Sequence, residues 1–419
     1  MQFKLLNYYK LLAKIANSFV SVFVPLIVYQ ITNSLVLAFG YLAMRSMARV
    51  LTDVLLGKWI QLKPEIFLFL RVITVPAYLL CLVFVESSFV WGTVLTALFA
   101  GIDRSFMNLS VETLLNYSAS KSVNSRGVGV TRIFEQLGVF SGIAIGGILL
   151  DVNKIVVYIL AFVIYVIALL PLLIYYINNK KNPTFNKEYV SNATLQLSQT
   201  KQKSHFRYLI IGFLLTYGLT YMVFGVVDFS TDIYTVQLFL NGGATYTYAS
   251  FISLTYNIAF FLGNLVVGVF DRKYDLMKMT SICCVIVALA HIAFVFVDSL
   301  WFIFVLFALF GFFYSFISVF VLQRFVQKAR ILGCGNRAIW TREVMCSIVY
   351  VIYNSIIVVI VLLGLEPKYF FLLAGVFMLL SAYLIPRCEE KTRKMLVDYV
   401  EDNEICIRVT EDSDATKTS

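Results

Sequence analysis

Long apolar segments recur along the whole chain, and they constrain its fold more than any other feature. A helix needs roughly 20 consecutive, mostly apolar residues to cross a bilayer. Twelve segments meet this criterion, and they lie near residues 11–31, 34–57, 66–86, 89–115, 128–150, 155–177, 207–228, 244–270, 278–298, 300–323, 340–363 and 367–386. The sequence therefore predicts an all-α membrane protein with twelve transmembrane helices.

The low content of charged residues excludes a soluble domain. Only 14% of the 419 residues are charged and 60% are apolar, whereas a typical soluble domain is about 25% charged. The net charge of +10 comes from short basic clusters between the apolar segments, which is typical of loops that face an anionic lipid surface. We therefore expect a lipid bilayer around the chain and no nucleic-acid partner.

Lysine and arginine are distributed unequally between alternate connections. If the N-terminus is cytoplasmic, the connections on the cytoplasmic side carry nearly all of these residues, and the outer loops keep only Lys154 and Lys368. Short loops rich in Lys and Arg stay on the cytoplasmic side of a membrane. The pattern predicts a multi-pass protein of the cytoplasmic membrane with both termini in the cytoplasm.

A polar, basic stretch separates the first six apolar segments from the last six. The sequence predicts four regions: an N-terminal six-helix bundle (1–180), a cytoplasmic linker (181–206), a C-terminal six-helix bundle (207–387) and an acidic cytoplasmic tail (388–419). Six spans on each side indicate two structural repeats. A weak similarity between residues 124–135 and 336–343, at corresponding points of the two bundles, supports this interpretation.

Two short motifs accompany the six-loop-six layout. Residues 57–64 (GKWIQLKP) are similar to the G-x-x-x-D-R-x-G-R loop of the major facilitator superfamily, with Gln61 in place of the acid, and the second half has Asp271 and Arg272 at the equivalent loop. Residues 142–147 (GIAIGG) are similar to that family's antiporter motif G-P-x-x-G-G. The chain thus resembles the major facilitator superfamily over 1–390. The resemblance implies the major facilitator fold and a loop that latches the two halves.

Glycines on the fifth predicted span form a smooth stripe. Gly138, Gly142 and Gly146 are spaced by four and Gly147 follows, so the stripe would allow close helix packing. In the fold implied by the resemblance, this span meets the eighth span across the halves, and the glycines would let the two spans slide. Arg132 and Glu135 precede the stripe. We interpret them, together with the glycines of the stripe and with Gln61, Asp271 and Arg272, as gating residues between the halves. The alternative is ordinary helix packing with no bearing on transport.

Ionisable residues within the predicted spans of the first half are candidates for function, because charge is costly in a bilayer. We interpret Arg45, Arg104 and Asn108 as substrate-binding residues and Asp103 and Glu112 as proton-coupling residues. Arg104 is the expected partner of these two carboxylates. The alternative is structural: ion pairs near the helix ends, formed by Arg49, Asp53, Glu112, Arg132 and Glu135.

The spans of the second half carry aromatic and amide side chains and almost no charge. Such groups suit a partly apolar organic solute. We interpret Tyr217, Tyr221, Asn257 and Tyr314 as further substrate-binding residues. His291 is interpreted as a packing residue.

The sequence predicts no enzyme, no metal and no cofactor. The chain has two histidines, none of its seven cysteines shows paired spacing, and no phosphate-binding loop is present. We expect a monomeric secondary transporter that moves a small organic solute by alternating access, coupled to protons or another ion, with export favoured by the antiporter-like glycines. One alternative is an importer or exchanger of a small organic anion. Another is a non-transporting membrane sensor or a lipid-handling protein.

Overall fold

The computed structural model describes residues 2–119, 125–180, 245–270, 276–297, 299–331, 335–387, 389–390 and 394. All regular secondary structure in these residues is helical. The predicted span near 207–228, the linker (181–206) and most of the tail lie outside the described residues. The boundaries of the four predicted regions therefore stay predictions.

Twelve helical segments follow one another in the described residues: α1 (Gln2–Ser18), α2 (Val24–Thr32), α3 (Leu35–Leu62), α4 (Pro64–Phe84), α5 (Phe89–Ala119), α6 (Ser125–Val152), α7 (Lys154–Lys180), α8 (Tyr246–Phe270), α9 (Leu276–Phe294), α10 (Leu300–Ile331), α11 (Gly335–Leu362) and α12 (Pro367–Arg387). Eight helices in these residues contain stretches long and apolar enough to cross a bilayer. The prediction of an all-α membrane protein is confirmed. We call α1–α7 the first half and α8–α12 the second half.

The first predicted span, 11–31, is wrong in its start and in its continuity. The helical structure begins at Gln2, α1 ends at Ser18, and turns connect it to α2, which starts at Val24. Pro25 lies in the first turn of α2. Proline has no N–H and its ring clashes with the preceding helical turn, so the chain cannot continue as one regular helix.

The predicted latch loop, 57–64, is mostly helix. Helix α3 continues to Leu62, and α4 begins at Pro64 directly after Lys63. Proline suits the first turn of a helix because the N–H that it lacks has no partner there. The glycine of this motif, Gly57, packs against the indole of Trp340 on α11. This part of the motif therefore contacts the second half from within a helix.

The glycine stripe packs within the first half, contrary to the expectation that it faces the eighth span. A Cβ atom added at Gly138, Gly142 or Gly146 would lie 2.6 Å from a backbone carbonyl oxygen of α1 or of the turn after it. Only Gly147 meets the second half, where it packs against Ser250 of α8. A helical stripe has one direction, and the three spaced glycines are directed towards α1.

Two pairs of helices form the most extensive contacts between the halves in the described residues, and α5 also contacts α11. Helix α3 packs along α11, and α6 packs along α8. At the far end of α6, Asp151 accepts hydrogen bonds from the backbone N–H groups of Tyr246 and Thr247, at 3.0 and 2.9 Å, and from the Thr247 hydroxyl at 2.6 Å. The first turn of α8 is therefore capped by a carboxylate of the other half.

The close packing of Gly142 against α1 can be tested by comparison with Gly40, which has open space around it. We expect Gly142→Ala to lower the free energy of unfolding by about 1–3 kcal/mol, because the methyl group overpacks the contact with α1. Gly40→Ala, where nothing lies within 4 Å of the added atom, should raise it by about 0.5–1 kcal/mol through helix propensity. Thermal unfolding of the purified protein measures both, and equal effects would contradict this packing.

Candidate functional site

A buried ion pair lies inside the first half. Arg71 on α4 and Asp103 on α5 are 1% and 5% exposed. The guanidinium donates from Nε to Oδ1 at 2.8 Å and from Nη2 to Oδ2 at 2.9 Å. Two parallel N–H···O bonds are the strongest arrangement of this pair, because both partners are charged and planar. The charges thus neutralise each other within the helices.

Neighbouring side chains complete the hydrogen bonding of this pair. The Thr74 hydroxyl donates to Asp103 Oδ1 at 3.0 Å, and Arg71 Nη1 donates to the Tyr9 hydroxyl at 2.9 Å. The guanidinium also lies 5.0 Å from the ring centroid of Tyr165, a favourable cation–π distance. A buried ion pair is stable only when its remaining polar groups also find partners, and this one meets that condition.

A small cavity of about 10 Å³ lies beside the ion pair. Its wall combines polar and small side chains from four helices: Ala13, Ala16, Asn17, Arg71, Val75, Tyr78, Leu79, Asp103, Ala161 and Tyr165. The buried hydroxyl of Tyr78 has no hydrogen-bond partner among the described residues. A volume of this size holds about one water molecule. The arrangement can place one water beside Asp103 but has no room for an organic solute in this conformation.

Arg71 is the partner of Asp103, and the expected partner Arg104 is wrong. Consecutive helical residues diverge by about 100°, so adjacent side chains on α5 face different neighbours. Arg104 lies near Lys14 of α1, and the two positive charges repel each other. Sequence reasoning missed Arg71, although a lone arginine within the third apolar segment (66–86) was a usable signal.

A second ionic cluster lies between the halves, along α3 and α11. Arg49 forms an ion pair with Glu343, and its Nε lies 3.7 Å from Asp53 Oδ2. Arg342 contacts Glu343 at 2.7 Å and Glu112 at 3.5 Å. Glu112, predicted as a proton site, is thus paired with an arginine of the second half, and its side chain is 26% exposed.

Glu135, predicted as a gating residue between the halves, contacts two lysines of the first half. Its carboxylate binds Lys10 at 2.8 Å and Lys14 at 2.9 Å, both on α1. These contacts hold α6 against α1 within the first half. The side chain of Arg132 lies outside the described residues.

The described residues include several other predicted substrate-binding residues. Arg45 is buried on α3, with its guanidinium 5.5 Å from the ring centroid of Tyr41, and Asn108 is partly buried on α5. Asn257 donates to the Ser253 carbonyl of its own helix at 2.7 Å.

Tyr314 is buried in the second half, where its ring packs against Tyr256 and Phe260. Gln61 is buried near the end of α3. Four predicted site residues lie outside the described residues: Tyr217, Tyr221, Asp271 and Arg272.

Two further expectations concern histidine and metal. His291 is buried, its Nδ1 lies 2.7 Å from the Val287 carbonyl oxygen, and its ring stacks on Phe310 at 4.2 Å. These contacts are those of a packing residue. In the part of the chain that the structure describes, no group of three or more His, Cys, Asp or Glu side chains could hold a metal ion.

The buried pair makes a strong prediction about stability. Arg71→Gln or Asp103→Asn should each lower the free energy of unfolding by about 3–5 kcal/mol, because the remaining charge is buried without its partner. The double variant should lose less than the sum of the two. Lys368→Gln removes the exposed contact with Glu366 (2.7 Å) and should cost about 0–1 kcal/mol. Additive losses in chemical denaturation would contradict the pairing.

Comparisons with known proteins agree with this architecture. The sequence model of the Major Facilitator Superfamily matches residues 10–336 of the chain. No curated protein matches the chain in a sequence search. A bacterial homologue of the iron transporter ferroportin, in an outward-facing state, is 13% identical with a TM-score of 0.64, covering 93% of this chain and all (100%) of that one. The nucleoside transporter NupG is 12% identical with a TM-score of 0.60, covering 92% and 98%. The chain belongs to the Major Facilitator Superfamily and is a multi-pass membrane transporter, not an enzyme.

Proposed function

We propose that this protein is a secondary active transporter that moves a small organic solute across the cytoplasmic membrane by alternating access, coupled to protons. The observation that carries the proposal is the buried Arg71–Asp103 pair inside a membrane-embedded bundle. Charged side chains at such positions are costly and are retained where they serve an ion or substrate pathway.

Asp103 is the proposed proton-coupling residue because one cation, Arg71, donates two hydrogen bonds to its carboxylate. While Arg71 donates two hydrogen bonds to it, the carboxylate is stable in its ionised form. If α4 and α5 shift and Arg71 moves away, an isolated carboxylate in apolar surroundings favours the protonated form. Protonation of Asp103 is thereby linked to the arrangement of the helices. The cavity beside it offers space for the water that would deliver the proton.

The solute is proposed from the chemistry of Arg71. A guanidinium that binds one carboxylate through two parallel bonds can bind another carboxylate or a phosphate in the same way. A substrate anion could therefore replace Asp103 on Arg71 and leave Asp103 to take up a proton. This geometry favours a small organic anion as the second candidate substrate, moved together with protons.

Alternating access requires contacts between the halves that can separate. The structure has such contacts at two levels: the ionic cluster between α3 and α11, and the Asp151 cap on α8. If the halves rock against each other, the contacts at one of these two places would separate while those at the other stay formed. The glycine stripe resembles an antiporter motif and was expected to favour export. It packs against α1, so it supports neither export nor import.

A transport assay tests the coupling. A screen for solutes that stabilise the purified protein at two pH values would first identify a probe among organic acids, phosphorylated compounds and neutral organic solutes. In proteoliposomes, an imposed pH gradient should drive accumulation of that probe. Asp103→Asn should abolish this accumulation, because an amide cannot bind the coupling proton, and should retain exchange of labelled for unlabelled probe.

The control is Glu366→Gln, which changes an exposed carboxylate of a surface pair and should transport normally. If Asp103→Asn accumulates the probe like the unchanged protein, the proton-coupling role of Asp103 is wrong. If pH gradients never affect transport, coupling to protons is wrong altogether.

A further inference from the structure

Polar contacts between α3 and α11 form a continuous seam, which we define by Ser46, Arg49, Asp53 and Gly57 on α3 and Trp340, Glu343, Ser347 and Asn354 on α11. At one end Asn354 Nδ2 donates to the Ser46 hydroxyl at 3.2 Å. At the other end Trp340 Nε1 donates to the Asp53 carbonyl at 2.7 Å. The two helices run antiparallel, so the seam joins the halves over several helical turns.

The ionic groups in and beside the seam do not balance. Arg49 and Arg342 contribute two positive charges, whereas three carboxylates contact them: Asp53, Glu343 and Glu112. Among the described side chains, with all three carboxylates ionised, this group carries one surplus negative charge. Glu112 is partly exposed, so water can stabilise its charge. A carboxylate that is buried without a close cation is costly, and it removes that cost by binding a proton.

Asp53 is the carboxyl group best placed to hold that proton. Its side chain is 1% exposed, and the nearest guanidinium nitrogen, Arg49 Nε, is 3.7 Å away. Glu343 is contacted directly by both arginines, and Glu112 is partly exposed. The hydrogen-bond partners of the Asp53 carboxyl are two hydroxyls, Ser105 on α5 and Ser347 on α11. Hydroxyl groups can donate or accept, so they suit a neutral carboxyl as well as a carboxylate.

The other titratable groups around Asp53 leave this assignment unchanged. On α11, Cys346 and Tyr350 lie close enough to Arg49 to interact with it electrostatically, and both are neutral in their ordinary forms. On α5, Arg104 lies close enough to Lys14 of α1 for the two positive charges to repel each other. Arg45, two helical turns from Asp53 on α3, has its guanidinium over Tyr41.

We propose that Asp53 binds a proton when the seam is closed, and that loss of this proton opens the seam. In the closed seam the proton leaves two positive and two negative charges. After deprotonation the surplus charge favours entry of water and separation of α3 from α11. Because the closed form binds the proton more tightly, acid favours the closed seam, and closure is lost as the pH rises. This proposal rests on the proposed function only in making Asp53 a second site for the coupling proton.

Trp340 provides a readout that needs no substrate. The other three tryptophans, Trp59, Trp91 and Trp301, are mostly exposed and can be replaced by Phe. In this background the fluorescence of Trp340 should be blue-shifted and protected from a soluble quencher in acid. It should become red-shifted and quenched as the pH rises. Asp53→Asn should stay protected at every pH, because its amide is always neutral.

Glu366→Gln in the same background is the control and should keep the transition of the unchanged seam. Ser105→Ala gives a second test if Asp53→Asn does not fold. Loss of the hydroxyl that donates to Asp53 should move the transition to higher pH by about one unit, since a hydrogen bond to a charged group favours the ionised form.

The outcomes separate this proposal from the proposed function. A transition that persists in Asp53→Asn, that is absent from the parent protein, or that opens the seam in acid would overturn the role of Asp53. A transition with the expected sign in a protein whose transport ignores pH gradients would leave the seam proposal intact and contradict proton-coupled transport.

Discussion

Charge inside a bilayer needs a partner within the protein, and this requirement determines how the helices of this transporter are held together. Water is absent from the hydrocarbon region, so an ionised side chain is stable only where another chain segment neutralises it. Arg71 and Asp103 meet the requirement between α4 and α5. Arg49 and Glu343 meet it between α3 and α11. The first pair fixes the interior of one half, and the second joins the halves.

The two ionic centres differ in how completely their charges are matched. The Arg71–Asp103 pair is neutral overall, and each partner has a further hydrogen bond with a neutral group: Arg71 donates to Tyr9, and Asp103 accepts from Thr74. The cluster along the seam has one carboxylate more than it has guanidinium groups. In the proposed mechanism, the matched pair can bind a proton only after its two partners separate, whereas the unmatched cluster can bind one while its helices stay in contact. The unmatched cluster lies at the contact that must rearrange when the halves move.

Hydropathy alone was sufficient to predict the helical membrane fold, since the cost of exposing polar backbone to lipid leaves few alternatives. It could not reveal the break before Pro25, because averaging over an apolar segment ignores one missing N–H. It also could not choose between Arg71 and Arg104 as the partner of Asp103. That choice depends on how neighbouring helices are rotated about their axes, which only their mutual packing decides. The direction of the glycine stripe was hidden for the same reason.

The Asp151 cap on α8 and the seam between α3 and α11 differ in the free energy needed to separate their contacts. Asp151 is exposed, so water can replace it at the N–H groups of Tyr246 and Thr247 as soon as α6 withdraws. Hydrogen bonds to water would replace those that the carboxylate and the N–H groups of the helix terminus lose. The buried ions of the seam gain no such compensation until water has already entered. The Asp151 cap can therefore open with water as its replacement, whereas in the proposed mechanism the seam opens only after a change in its charge.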